Sequence, residues 1–181
     1  MEEKKGMLGS YLKTPLANFI FRGIALFLFW DLIFYPFLIP ESFHTMLIGY
    51  LLSFSGAVLN VLHFDVVTSN EDIILNGMRT VHVGIPCDGI EAMGVFSCIV
   101  IAFHAKWVHK VWMIITGIIV IFLLNGARVV ALAWLIATNH LAAFNINHKY
   151  LFNIILFALL LIMIYLWSSK FAVKKEYSKV D

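Results

Sequence analysis

The sequence predicts an all-α fold: a polytopic transmembrane helix bundle of about five spans with a small extramembrane β-hairpin loop. Three observations carry this expectation. Of 181 residues, 61% are hydrophobic and only 13% charged, with a mean hydropathy of +0.90, outside the range of ordinary soluble domains. The apolar residues gather into runs near the length of about 20 residues that a helix needs to cross a bilayer. Between the second and third runs, β-prone residues flank Asn76-Gly77, a dipeptide that readily takes the positive φ values of a two-residue hairpin turn.

The elements follow in order. Residues 1–15 carry Glu2, Glu3, Lys4, Lys5 and Lys13 and suit a segment at the membrane surface. This polar, basic start, without a clear small-residue cleavage site, fits a signal peptide poorly, so the first apolar segment is expected to be retained. That span covers residues 16–39, holds Arg22 and Asp31, and stops at Pro36 and Pro40, which disfavour helix. Residues 43–62 form the second span. Asp65, Ser69, Asn70, Glu71, Asp72 and Arg79 then place the next stretch in water or at the interface, with a hairpin over Asp72 to Val83 above the bundle mouth. The third helix covers residues 87–105, opens at Cys87 and ends in the basic reversal Lys106 to Lys110. Residues 111–138 are enough for a fourth helix of about 42 Å. Residues 148–168 form the fifth span, and 169–181 a basic tail with Lys170, Lys174, Lys175 and Lys179. No internal repeat is present, and the whole chain reads as a single integral membrane domain.

A formal charge of +2 is too small and too scattered for nucleic acid, so the basic residues read as anchors to membrane lipids. Five crossings put the termini on opposite faces. The short Lys106 to Lys110 turn and the basic tail are the features most like cytoplasmic ones, which orients the tail inward.

Within this apolar frame few side chains can do chemistry. A guanidinium on an apolar helix costs about 2.5–3.5 kcal/mol at mid-membrane, so Arg128 needs a compensating role. It either pairs with Asp31 or Glu91 inside the bundle or serves as a fixed cation for a carboxylate or an oxyanion. Asn125, three residues earlier, shares its helix face and can orient it or a substrate. Cys87 sits where a loop enters a helix, in Ile85-Pro86-Cys87-Asp88-Gly89-Ile90. Helix N-terminal amides and a nearby cation favour a thiolate there, whereas the charge of Asp88 opposes it. Cys98, mid-helix among apolar residues, reads as packing. On one helix the two cysteines would stand about 16 Å apart, too far for a disulfide. His148 opens the fifth span and could serve a thiolate as general acid/base, with His140 its competitor. His44, His63, His82, His104 and His109 lie near span ends and read as interfacial, and their spacing matches no compact zinc motif. Cys87, His140 and His148 remain the alternative metal set; no cofactor is expected.

Together, Cys87-Asp88-Gly89-Ile90 at a helix start, Asn125-Gly126-Ala127-Arg128 within a later apolar helix, and His148 opening the next span, continued by Tyr150 to Asn153, resemble the exosortase/archaeosortase family. Order and spacing agree with that family's Cys, Arg, His pattern from Pro86 to Leu166. The resemblance implies a multi-pass protein of a prokaryotic plasma membrane. Its outward-facing site would be that of a cysteine protease or transpeptidase acting on proteins with a C-terminal sorting signal: a short motif, a hydrophobic helix and a basic tail. Cleavage would precede transfer to a surface anchor. Carried over by position, Cys87 would be the nucleophile, Arg128 the oxyanion or substrate-binding cation and His148 the general acid/base, with Asn125 in support. Many members of that family have more spans than the five counted here. The rival class is a non-catalytic transporter subunit or assembly scaffold with Arg128, Asp31 and Glu91 in a buried charge network.

Overall fold

The computed structural model describes residues 15–69, 71–138 and 151–171. Helix α1 (Pro15–Phe29) runs through a π-helical turn (Trp30–Phe34) into a last α-helical turn (Tyr35–Leu38). The helix therefore does not stop at Pro36. A proline has no N–H for the residue four back, and the wider π turn just before it absorbs that missing bond. Ile39, extended at φ −97° and ψ 105° ahead of Pro40, ends the helix instead.

Helix α2 (Glu41–Val61) leads to strands β1 (Val66–Ser69), β2 (Asp72–Leu75) and β3 (Met78–His82). A 3-10 turn (Ile85–Cys87) precedes α3 (Ile90–Ala102), α4 (Trp107–Ala137) and α5 (Phe152–Phe171). Among the described residues, four helices are long and apolar enough to cross a membrane: Leu16–Leu38, Glu41–Val61, Trp107–Ala137 and Phe152–Phe171. The chain is thus a multi-pass membrane protein. Helix α3 has 13 residues, a rise of about 20 Å, short of the roughly 30 Å hydrocarbon core.

The expected hairpin is present, built on Asn76 (φ 51°) and Gly77 (φ 78°) with Leu75 opposite Met78. It belongs to a larger unit: β1 adds to β2 with Ser69 opposite Asp72, giving a three-stranded antiparallel sheet in the order β1-β2-β3. One face of this sheet is apolar. Ile73, Leu75, Val81 and Val83 are buried with Ile48, Leu51, Leu52 and Leu59 of α2 and Val129, Leu132 and Ala133 of α4 in a single core. The sheet is therefore anchored on α2 and the C-terminal half of α4. Gly126 permits the close approach of these helices, since a Cβ there would lie 2.5 Å from the Phe54 ring. A second core joins Phe96 and Val100 of α3, Met113 and Ile121 of α4, and Leu156, Leu160, Ile164 and Trp167 of α5. Helix α1 packs on α3 through Phe19 and Phe103, ring centroids 4.5 Å apart. There the Cys98 thiol donates to the Leu26 carbonyl at 3.5 Å, a packing role. The Lys106 to Lys110 reversal is tied down by Lys110 Nζ, which donates to the Ile101 carbonyl at 2.7 Å and so satisfies one of the free carbonyls at the end of α3.

On the outer face of the sheet Arg79 donates to Asp72 at 2.7 Å and the His82 ring lies 2.9 Å from the same carboxylate. Desolvation raises the Asp72 carboxyl, but the hydrogen bonds and charges of Arg79 and His82 outweigh it and hold it below the ordinary carboxylate value. A carboxyl lowered by folding contributes stability above its unfolded value of about 3.9 and loses it as pH falls through the lower folded value. Proteolysis of the 65–83 segment is therefore expected to accelerate below about pH 4, modestly, because the pair is exposed and screened. Asp72→Asn should remove that pH dependence. An unchanged profile in the variant would assign the acid response to other groups.

Candidate active site

The turn that carries Cys87 is built residue by residue. Val83 N–H donates to the Glu71 carbonyl at 2.7 Å, closing the ladder, and the chain leaves the sheet at Gly84. Cys87 N–H then bonds the Gly84 carbonyl at 2.9 Å and Asp88 N–H the Ile85 carbonyl at 3.2 Å, which makes the 3-10 turn. Residues 87–89, expected as the first turn of the third helix, are thus not part of it. Asp88 is near-helical at φ −75°, Gly89 is left-handed at φ +84°, and α3 begins only at Ile90. That reversal at Gly89 turns the thiol out of the helix line.

Two buried side chains hold the turn. Asp88 is 2% exposed; its Oδ1 accepts the Ile90 N–H at 2.8 Å and its Oδ2 faces His44 Nδ1 at 2.5 Å. A carboxylate only accepts, so His44 must carry its proton on Nδ1 to donate here. His44 is 7% exposed, with the Tyr35 ring edge-on against it at 5.8 Å between centroids, so at this span end it packs inside the bundle. The start of α2 is thereby bonded to the residue next to Cys87. The first amide of α3, expected to favour a thiolate at residue 87, is taken by Asp88 instead. Asn125 is the second anchor. It is 4% exposed, its Nδ2 stands 2.2 Å from where a Cβ on Gly89 would lie, and that nitrogen has no acceptor among the described residues. Asn125 thus packs against the Gly89 backbone.

Cys87 and Arg128 line one cavity of about 220 Å³, together with Thr80, Val81, His82 and Val83 at the end of β3 and Val129 and Leu132 of α4. Residues 41 positions apart are brought together because the sheet and α4 share a core, so the strand end that delivers Cys87 is held against the helix face that carries Arg128. The guanidinium carbon of Arg128 lies 5.7 Å from the centre of the Phe152 ring, at the start of α5. His148 and His140 lie outside the described residues, so their placement relative to Cys87 is not part of this geometry. Asp31 and Glu91 are exposed on the bundle surface, which leaves the charge-network alternative without its buried carboxylates. Sequence reasoning missed the His44–Asp88 pair. The only signal was two polar residues in apolar surroundings 44 positions apart, and nothing local couples them.

A helical membrane bundle with a small sheet fixed over it, a thiol and a guanidinium sharing one apolar-walled cavity, defines a class of membrane-embedded protein with a site at the end of its spans. A family model for the transmembrane exosortase (Exosortase_EpsH) matches residues 5–169. The chain belongs to the transmembrane exosortase family, membrane-embedded proteins that process sorting signals. Comparison with curated proteins and with solved structures finds no match.

Proposed function

We propose that this chain is a cysteine peptidase or transpeptidase that cleaves the C-terminal sorting signal of exported proteins at the outer face of a prokaryotic plasma membrane. The observation that carries the proposal is the shared cavity of Cys87 and Arg128. In this scheme the Cys87 thiolate attacks the scissile carbonyl, and the negative charge that develops on its oxygen is met by the Arg128 guanidinium. The C–N bond then breaks, His148 gives a proton to the departing amine, and the acyl group remains on sulfur as a thioester. A second nucleophile, an amine of the surface anchor or water, attacks the thioester and gives its proton to His148, and the C–S bond breaks to release the Cys87 thiolate. The apolar walls, Val81, Val83, Val129 and Leu132, limit water near the thioester and favour transfer over hydrolysis. Asn125 supports the arrangement through its contact with Gly89.

Complementation tests this in cells of the natural source lacking the chromosomal copy. Mass spectrometry of membrane-protein C-termini is expected to show precursors that keep an apolar helix and a basic tail. Wild type should remove these tails, while Cys87→Ala, Arg128→Ala and His148→Ala each lower removal at least 100-fold, with each variant inserted at wild-type level. Normal processing by Cys87→Ala would sink the nucleophile assignment.

A further inference from the structure

The cavity is bordered on one side by four consecutive residues, Thr80 to Val83. Successive strand residues point to opposite faces, and here Val81 and Val83 are buried in the core while His82 is exposed on the other face. A cavity lined by both sets runs along the edge of the strand rather than across one face. Among the described residues β3 pairs only with β2, so this edge is free. Because Val83 donates its N–H towards β2, the alternation of backbone direction turns the N–H and C=O of His82 the opposite way, onto the free edge. Thr80 is the extra residue of the irregularity between Ile73 and Ile74, since Ile73 faces Val81 and Ile74 faces Arg79. The other residues lining the cavity are Cys87, Arg128, Val129 and Leu132.

We infer that the free edge of β3 is the seat of the scissile segment, which binds extended, as an added strand. Backbone groups of the substrate pair with the N–H and C=O of His82, and a peptide carbonyl comes to lie between the Cys87 sulfur and the Arg128 guanidinium. The inference rests on the proposed role of Cys87 and adds the mode of recognition. Around the bond the ligand is read through its main chain, so the required chemistry is an extended peptide with an unblocked amide N–H at alternate positions. Such recognition tolerates many side chains.

The experiment uses full-length protein with Cys98→Ala in lipid nanodiscs, which leaves Cys87 as the sole thiol. Its alkylation is timed with chloroacetone and with acetyl-Ala-Ala-Ala chloromethyl ketone, in both of which the thiolate displaces chloride to form a C–S bond. The tripeptide should react at least tenfold faster than chloroacetone. Methylation of one amide nitrogen should abolish the advantage while methylation of the adjacent one spares it; the methylated peptides also control for partition into lipid. His82→Pro, which removes the edge N–H and is tolerated on an edge strand, should abolish the tripeptide's advantage, read as the ratio of the tripeptide rate to the chloroacetone rate within the same variant. A tripeptide with no advantage, or one equally sensitive to methylation at every position, overturns the added-strand inference while leaving Cys87 as a candidate nucleophile. A Cys87 that reacts with neither reagent overturns the functional proposal itself, and this inference with it.

Discussion

Gly89→Ala is expected to disable the site while the helices remain inserted. The residue is held at φ +84°, where an L side chain is strained by about 1–2 kcal/mol. Its new Cβ would also meet Asn125 Nδ2 at 2.2 Å and Ile121 Cγ2 at 3.2 Å, and relieving an overpacked contact of this kind costs about 1–3 kcal/mol. Both effects act between Cys87 and α3, so the turn carrying the thiol must shift. Processing should fall at least 100-fold, and thermal unfolding in detergent should occur several degrees lower. The double variant Gly89→Ala/Asn125→Ala separates the causes: the smaller residue 125 removes the clash with Asn125 and leaves the backbone strain and the Ile121 contact, so stability recovers in part and the effects are not additive. Full recovery in the double variant would show that the positive φ is not required. Wild-type stability in the single variant would contradict the close packing of the turn on α4.

His44→Phe should be nearly as damaging, through a lost hydrogen bond rather than shape. Removing the donor leaves a buried carboxylate oxygen without its hydrogen bond, a loss of about 1–3 kcal/mol, and Asp88 at 2% exposed has little access to water. Asn in place of His44 keeps a donor close to the position of Nδ1, so His44→Asn should retain most of the stability that His44→Phe loses. A merely space-filling His44 would show the reverse order, with the aromatic Phe tolerated and Asn not. Because Asp88 also accepts the Ile90 N–H, the loss is expected to spread to the turn, with altered Cys87 alkylation in His44→Phe and near-normal alkylation in His44→Asn. Thermal unfolding and timed alkylation in the same samples distinguish these outcomes.

Much of the fold was legible in the chain because its signals are local. Apolar runs of membrane length mark helices whatever their neighbours, and Asn76-Gly77 specifies its turn through the backbone freedom of two residues. Strand β1 was less visible: Val66–Ser69 is only four residues long, too short for a period to declare itself, and it is a strand because β2 offers it a ladder. The start of α3 was misplaced because Pro86 and the left-handed Gly89 make a separate turn, whereas composition alone continues the apolar run back to Cys87. Helix α1 passes Pro36 because a π turn precedes it, a choice a proline by itself does not announce.

For the site, the sequence by itself singled out Cys87 and Arg128, since a guanidinium in an apolar helix and a cysteine at a loop-to-helix junction are costly or reactive wherever they fall, and family resemblance ordered them with His148. Only the tertiary structure decided that Cys87 and Arg128 face one cavity and that Asn125 braces Gly89. It alone also brought His44 out of a distant helix to bond Asp88. Those relations depend on which helix faces bury together, and the apolar residues that drive the burial are too alike along this chain to name their partners in advance.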